Sequence, residues 1–189
     1  MPRPPRVRVY LGCSLDGCIA GPDHDLSFLH APGPSEAPVA SPEALGFETF
    51  MAGIGAMLMG RRTYDIVTSM DVPWPYGDTP VLVATHRPLP EPLASVRAIG
   101  GDIDTLVRTA RAAAGKGDVY LDGGALVRSA LEAGLVDELT LTMLPVVLGE
   151  GIRLFDGLSS PLSLEFTGHH DAGLGMVQLT ARPHPSAAS

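Results

Sequence analysis

Two short stretches combine the residue types that can hold an anion. In Met59-Gly60-Arg61-Arg62-Thr63-Tyr64, two guanidinium groups and a hydroxyl follow a glycine directly after an apolar run. Arginines at the start of a helix oppose its dipole, while their planar forks match phosphate oxygens. In Leu121-Asp122-Gly123-Gly124, an acid and two glycines separate an apolar run from a helical pattern. Glycine turns a chain at low steric cost. A glycine turn feeding a helix N-terminus also bares backbone N–H groups to a phosphate. Locally both readings stand: a cheap turn or an anion cradle, solvated arginines or a phosphate clamp. His86-Arg87 is a third basic element, just after the run Val81–Thr85. Asp16, in Ser14-Leu15-Asp16-Gly17, has the residue type and spacing of an Asp-Gly turn.

The elements that position these residues follow from periodicity. Val7–Leu11 reads as a first strand and 13–25 as a glycine-containing loop. The segment 31–42 reads as a Pro/Ala/Ser-rich surface loop. Ser41-Pro42-Glu43 has the composition of a helix start, with Ser41 as N-cap, and the helix is expected to run to Ala52 with Phe47, Phe50 and Met51 inward. Ala56–Met59 and Val81–Thr85 are wholly apolar, as in strands buried on both faces. Val96–Ile99 adds a strand, and Arg61 opens a helix. Ile103, Leu106, Val107, Ala110 and Ala114 follow the helical period up to Gly115. Val119–Leu121 is a strand, and Leu126, Val127, Ala130 and Leu131 form a helix face stopped by Gly134. Leu139–Leu148 alternates Thr with apolar residues, with Pro145 at an edge or bulge. Strands near 162–167 and 174–181 finish the chain. Strands alternating with helices predict one α/β domain with a mostly parallel sheet, helices on both faces and an antiparallel C-terminal part. The core is expected over 6–181, with 182–189 a disordered tail.

Composition removes several classes of function. The chain has 189 residues, a net charge of −8 and 45% hydrophobic residues. That charge disfavours nucleic acid as a partner. No apolar run is long enough to span a membrane, and the N-terminus lacks the apolar stretch of a secretory signal. A cytoplasmic location is therefore expected. Cys13 and Cys18 lack zinc-type neighbours, and buried thiols are the simplest reading; no metal is expected. The first strand is followed by GCSLDGCIAG, which lacks the G-x-G-x-x-G spacing of a Rossmann fold.

Taken in order, CSLDGCIAGPDHDLSFL, Met59-Gly-Arg-Arg-Thr-Tyr64, VLVATHR and YLDGGALVRSALEAGLVDELTLTMLPVVLGEG resemble the reductase domain of bacterial riboflavin biosynthesis proteins, which has the dihydrofolate reductase fold. The resemblance covers about 6–181. It implies NADPH as cofactor. Gly60, Arg61, Arg62 and Thr63 would hold the adenosine-side phosphates, including the 2′-phosphate. Thr85 and His86 would lie beside the adenosine, Gly123, Gly124, Ala125 and Leu126 under the diphosphate, and Ile19 and Ala20 at the nicotinamide end. Asp16 would be the catalytic or substrate-orienting acid, with Ser14, Tyr64 and Trp74 on the substrate side. A homodimer is implied as well. The chain departs from the pattern in two ways. It has no H-x-E…P-C-x-x-C deaminase signature, and its 31–42 loop lacks the Lys/Arg cluster suited to a ribose-phosphate. Glu43, Glu48 and Asp25 are further candidate acids. The expected activity is NADPH-dependent reduction of a small heterocyclic or carbonyl substrate. The alternative is a non-enzymatic nucleotide- or ligand-binding protein on the same fold.

Overall fold

The computed structural model describes residues 3–30, 39–90 and 92–184. Its centre is an eight-stranded sheet in the order β5-β4-β3-β6-β1-β7-β10-β9. The strands are β1 (Val7–Ser14), β3 (Ile54–Gly60), β4 (Val81–Ala84), β5 (Val96–Ile99), β6 (Asp118–Asp122), β7 (Glu138–Leu144), β9 (Ser163–Gly173) and β10 (Met176–His184). The five pairings from β5 to β7 are parallel, and β10 runs antiparallel to both β7 and β9. β9 and β10 are joined by the tight turn at Leu174-Gly175, and strands joined in this way must run antiparallel; between β7 and β9 the chain has no α-helix.

Two cores sit on opposite faces because side chains alternate along a strand. On one face Val7, Val9, Ala56, Leu58, Val119 and Leu121 meet the apolar sides of α3 (Ile103–Ala114) and α4 (Gly124–Glu132). On the other, Met57, Met59, Val81, Val83 and Tyr120 meet Phe50 of α1 (Phe47–Ala52) and Tyr64 of α2 (Arg61–Ser69). At the N-terminal end of the parallel strands, Arg6 and Arg8 bridge the buried carboxylates of Asp118 and Glu138. This charge cluster closes the edge opposite the cleft described below.

Several boundaries differ from the sequence reading. β1 runs on to Ser14, and the expected loop after it contains β2 (Cys18–Ala20), paired antiparallel with β8 (Ile152–Arg153). A three-residue strand carries no period, so its partner defines it. Ser41 caps no helix. Its N–H donates to Asp171 O at 2.8 Å, its carbonyl closes a turn to Ala44, and its hydroxyl bonds the Glu43 carboxylate. The helix starts at Phe47, with Gly46 as N-cap. Phe50 is buried, but Phe47 is 38% exposed and faces a cleft. β4 stops at Ala84, leaving Thr85 in a turn. β7 stops at Leu144, before Pro145, and lies inside the sheet between β1 and β10 rather than near an edge. α4 ends at Glu132, with Gly134 just beyond its C-cap at φ +65°. Residues 182–184 of the expected tail belong to β10; 185–189, like 31–38 of the surface loop, lie outside the described residues. Both cysteines are buried and unpaired, and burial pushes the Cys13 thiol up to about 11. No described helix is long and apolar enough to cross a membrane.

Candidate active site

At the C-terminal edge of the parallel strands a cleft of about 740 Å³ opens on the α1/α2 face. In an open α/β sheet this is the edge where ligands bind. The two basic and glycine-rich junctions meet there because β3 and β6 are neighbours, with Met59 opposite Asp122. They touch backbone to backbone. A Cβ built on Gly123 would lie 3.3 Å from Gly60 N and 3.0 Å from Thr63 Oγ1, and Gly123 has φ +106°. Both the dihedral and the contact require glycine at that position.

Gly60 is the N-cap of α2 and Gly123 that of α4, and neither offers a side-chain oxygen to the first turn. By contrast, α3 is capped by Asp102, whose carboxylate accepts from Thr105 N. The first-turn N–H groups of α2 and α4 are the unsatisfied donors of their helices, and both helix starts line the cleft. Such a pair of N-termini attracts an anion through aligned N–H groups and dipoles.

Arg61, Arg62 and Thr63 all line this cleft, in different states. Arg61 is engaged: its Nε donates to Asp65 at 2.7 Å and its Nη1 to Pro88 O at 3.0 Å. It ties α2 to the turn after β4. Among the described residues, Arg62 has no hydrogen bond or ion pair, and the same holds for the guanidinium of Arg87 in the neighbouring turn after β4. Ile19, Ala20, Gly60, Gly123, Gly124, Ala125 and Leu126 line the cleft as well. Thr85 and His86 do not. Thr85 Oγ1 accepts from Arg87 N at 3.0 Å, and the His86 ring packs against Gly100. Their neighbours Ala84 and Arg87 take the lining positions instead.

Asp16 lies outside the cleft lining. Its carboxylate accepts from Ser14 Oγ at 2.6 Å, Leu148 N at 3.1 Å and Gly149 N at 2.8 Å. The Ser14 hydroxyl, then the two backbone N–H groups, hold this carboxyl down at about 2. It is ionised at neutral pH and staples the β1–β2 turn to the 146–151 loop, so it holds no proton to donate. Ser14, fully buried, donates to Asp16 and accepts from Cys18 N. Tyr64 is buried, and Trp74 stacks edge-on between Tyr64 and Tyr76. Neither reaches the cleft; both pack beneath α2.

The acid on the cleft floor is Asp122. It lies on the same face of β6 as Tyr120, because residues two apart share a face, and both line the cleft. Its Oδ1 accepts from Gly123 N at 2.7 Å. Burial raises the carboxyl to about 6, against the lowering effect of the Gly123 N–H and the Tyr120 hydroxyl. A carboxyl that exchanges its proton near neutrality in a cleft is suited to acid–base work. Beside it, Tyr10, Gly12, Leu26, Leu29 and Phe47 form the apolar remainder. The signal for Asp122 was present in the sequence: an acid closing a buried strand just before two glycines.

Fold and cleft together define a dihydrofolate reductase-like α/β domain. The chain belongs to the RibD C-terminal domain family, whose model matches residues 5–178. It is 30% identical over 168 residues to the uncharacterized protein YwjB of Bacillus subtilis, covering 87% of this chain and 91% of that one. Among solved structures, a candidate riboflavin biosynthesis protein of Shewanella sp. PV-4 superposes with a TM-score of 0.79 at 30% identity, over 95% of this chain and 99% of that one. A diaminohydroxyphosphoribosylaminopyrimidine deaminase/5-amino-6-(5-phosphoribosylamino)uracil reductase of Thermotoga maritima shares the fold, with a TM-score of 0.65 at 16% identity. The match covers 96% of this chain and 57% of that longer protein. The family model and the Shewanella structure thus agree in placing the chain among RibD-like proteins.

Proposed function

We propose that this protein is an NADPH-dependent reductase of a small heterocyclic or carbonyl compound. The observation that carries this reading is the pair of neighbouring uncapped helix N-termini, packed glycine against glycine, with the unpaired Arg62 and Arg87 beside them. The residues fit a dinucleotide. First-turn N–H groups of α2 and α4 would bind the diphosphate, and a side chain at Gly123 would fill that approach. Arg62 and Arg87 would take the 2′-phosphate through charge-assisted bonds. Ile19 and Ala20 would border the nicotinamide end. When bound, the cofactor supplies the hydride. The chain supplies the proton, for which Asp122 has the position and the raised pKa, while the Gly123 N–H orients its carboxyl. The apolar side chains of Tyr10, Leu29 and Phe47 exclude water from the reacting face. A reducing cytoplasm suits the two unpaired cysteines.

Calorimetric titration of NADPH and NADH tests the cofactor, and NADPH oxidation against oxidised pterins, pyrimidines and quinones tests the reaction. Arg62→Ala with Arg87→Ala should weaken NADPH by about 2–4 kcal/mol, one charged hydrogen bond or more from each, and leave NADH unchanged. Arg61→Ala, which frees α2 from the 87–88 turn, should weaken both cofactors alike. Equal affinity of the wild type for the two cofactors would overturn the assignment of these arginines. Tight NADPH binding without turnover on the whole panel would favour a ligand-binding protein.

A further inference from the structure

The two ends of the cleft differ in charge, and the difference bears on what can be reduced there. The basic end spans the turns after β4, β3 and β6, where Arg87, Arg62 and the Gly123-Gly124 turn lie. The other end lies over β1, two strands from β3 and three from β4. At ordinary strand spacing that is roughly 10 and 14 Å away. There the floor is Gly12 and the carboxyl of Asp122, and the walls are Tyr10, Phe47, Leu26 and Leu29. The Tyr10 ring lies 6.1 Å from that of Phe47 and stacks on Phe50 at 4.7 Å. On the opposite wall, Leu29 Cδ2 lies 3.0 Å from where a Cβ on Gly12 would stand. The result is a slot between an aromatic and an aliphatic wall, closed on one side by a carboxyl with an oxygen to spare.

Among the described residues, no guanidinium or ammonium group serves this end. Residues 9–60, which supply both walls, contain no Lys or Arg and six carboxylates. The nearby arginines are spent on the protein itself: Arg128 donates to the carbonyls of Arg153 and Leu154, and Arg153 to those of Asp16 and Gly149. The two open helix N-termini lie at the other end. A phosphate placed here would lose its water and meet the Asp122 carboxyl instead of a cation. Among the described residues, His24 is the one basic side chain of the slot.

Resting on the reductase reading of the same cleft, we infer that the substrate is a planar N–H-bearing heterocycle without a phosphate group. Its faces lie between Phe47 and Leu29, and its N–H donates to Asp122. Phosphorylated sugar conjugates of such rings are excluded by charge.

The test uses matched pairs at pH 8, where imidazoles are neutral: 6-hydroxymethylpterin with its phosphate ester, and uridine with uridine 5′-phosphate. Each is titrated calorimetrically into the full chain with the basic end filled, by saturating NADPH in one series and by saturating inorganic pyrophosphate in the other. The neutral member of at least one pair should bind, and in each pair that binds it should exceed its ester by tenfold or more, with the gap narrowing as salt screens the carboxylates. Phe47→Ala should weaken ring binding about tenfold, the scale of one stacking contact, without changing NADPH affinity. An ester that binds as well as its neutral partner overturns the inference. So does absence of binding by both neutral rings, or unchanged ring affinity in Phe47→Ala. Failure of NADPH to bind strikes the reductase reading instead, and the pyrophosphate-filled titrations still decide the present one.

Discussion

At the scale of single residues, two aspartates with opposite environments divide the work between chemistry and scaffolding. Asp122 is desolvated on the cleft floor and raised to about 6; Asp16 is satisfied by three donors and lowered to about 2. Asp122→Asn should cut turnover by about 10²-fold, the scale of losing a positioned acid, and abolish the fall in rate above pH 6 expected of the wild type. Stability gives an independent sign. A carboxyl whose folded pKa lies above its unfolded value binds its proton more tightly in the folded state. It therefore costs stability as pH rises from about 4 to 6. Asp122→Asn should then be more stable than the wild type at pH 7, by roughly 1–3 kcal/mol, and equal to it near pH 3. Asp16→Asn should behave in the reverse way. The stability given by a lowered carboxyl is present above its unfolded pKa and lost as pH falls toward 2. Its melting temperature should drop at pH 7 and converge on the wild type in acid, with the pH profile of turnover unchanged. Thermal melts from pH 2 to 8 check both; a more stable Asp16→Asn at pH 7 would contradict its role as a loop staple.

At the scale of elements, the strand–glycine–helix junction is the working unit, and its two glycines differ. Gly123 holds φ +106° against the Gly60 backbone, which cannot move without shifting β3. Gly123→Ala should therefore destabilise the fold by about 1–3 kcal/mol, the range for a strained dihedral. At Gly124, a Cβ would meet the tip of Ile19 at 2.6 Å and Arg128 Nη1 at 3.3 Å, both side-chain ends that can turn aside. Gly124→Val should keep the fold and lose NADPH, because the branched side chain fills the approach to the first turn of α4. Denaturation and calorimetry on the two variants separate the roles. A Gly124→Val protein with normal NADPH affinity would reduce that glycine to a turn former. α1 serves the same cleft by different means. Six residues are too few for a stable isolated helix. It is anchored by Phe50 between Tyr10 and Tyr120, while Phe47 is left to the slot.

At the scale of the whole molecule, the sheet is covered unequally. Helices cover both faces from β4 to β1, but beyond β7 Val177 and Phe166 remain 47% and 63% exposed. They stand in register with Met143 and, through Ala181, with Leu139. β9 is the outer strand, and an exposed apolar edge invites pairing with another chain. The homodimer implied by the resemblance has its expected contact here. Light scattering at micromolar concentration should give twice the chain mass, and Phe166→Glu should halve it while cofactor affinity stays the same. A monomeric wild type would remove the dimer altogether.

Local patterning was enough to place every strand and helix that carries its own period. β3, β5 and α3 are legible because apolar spacing, glycine stops and helix caps act within a few residues. The glycine junctions at 60 and 123–124 were legible for the same reason, and parallel order alone predicts that they share an edge. Tertiary structure decided what depends on distant partners. β2 exists through β8. Asp16 became a staple because Leu148 and Gly149 arrive from far along the chain. Arg61 was claimed by a turn 26 residues away, which left the anion-binding task to Arg62 and Arg87. The pKa of Asp122 is set by burial against the strands and helices around it. A side chain's type limits the chemistry it can perform, but its charge state and availability depend on which neighbours folding brings within about 3 Å.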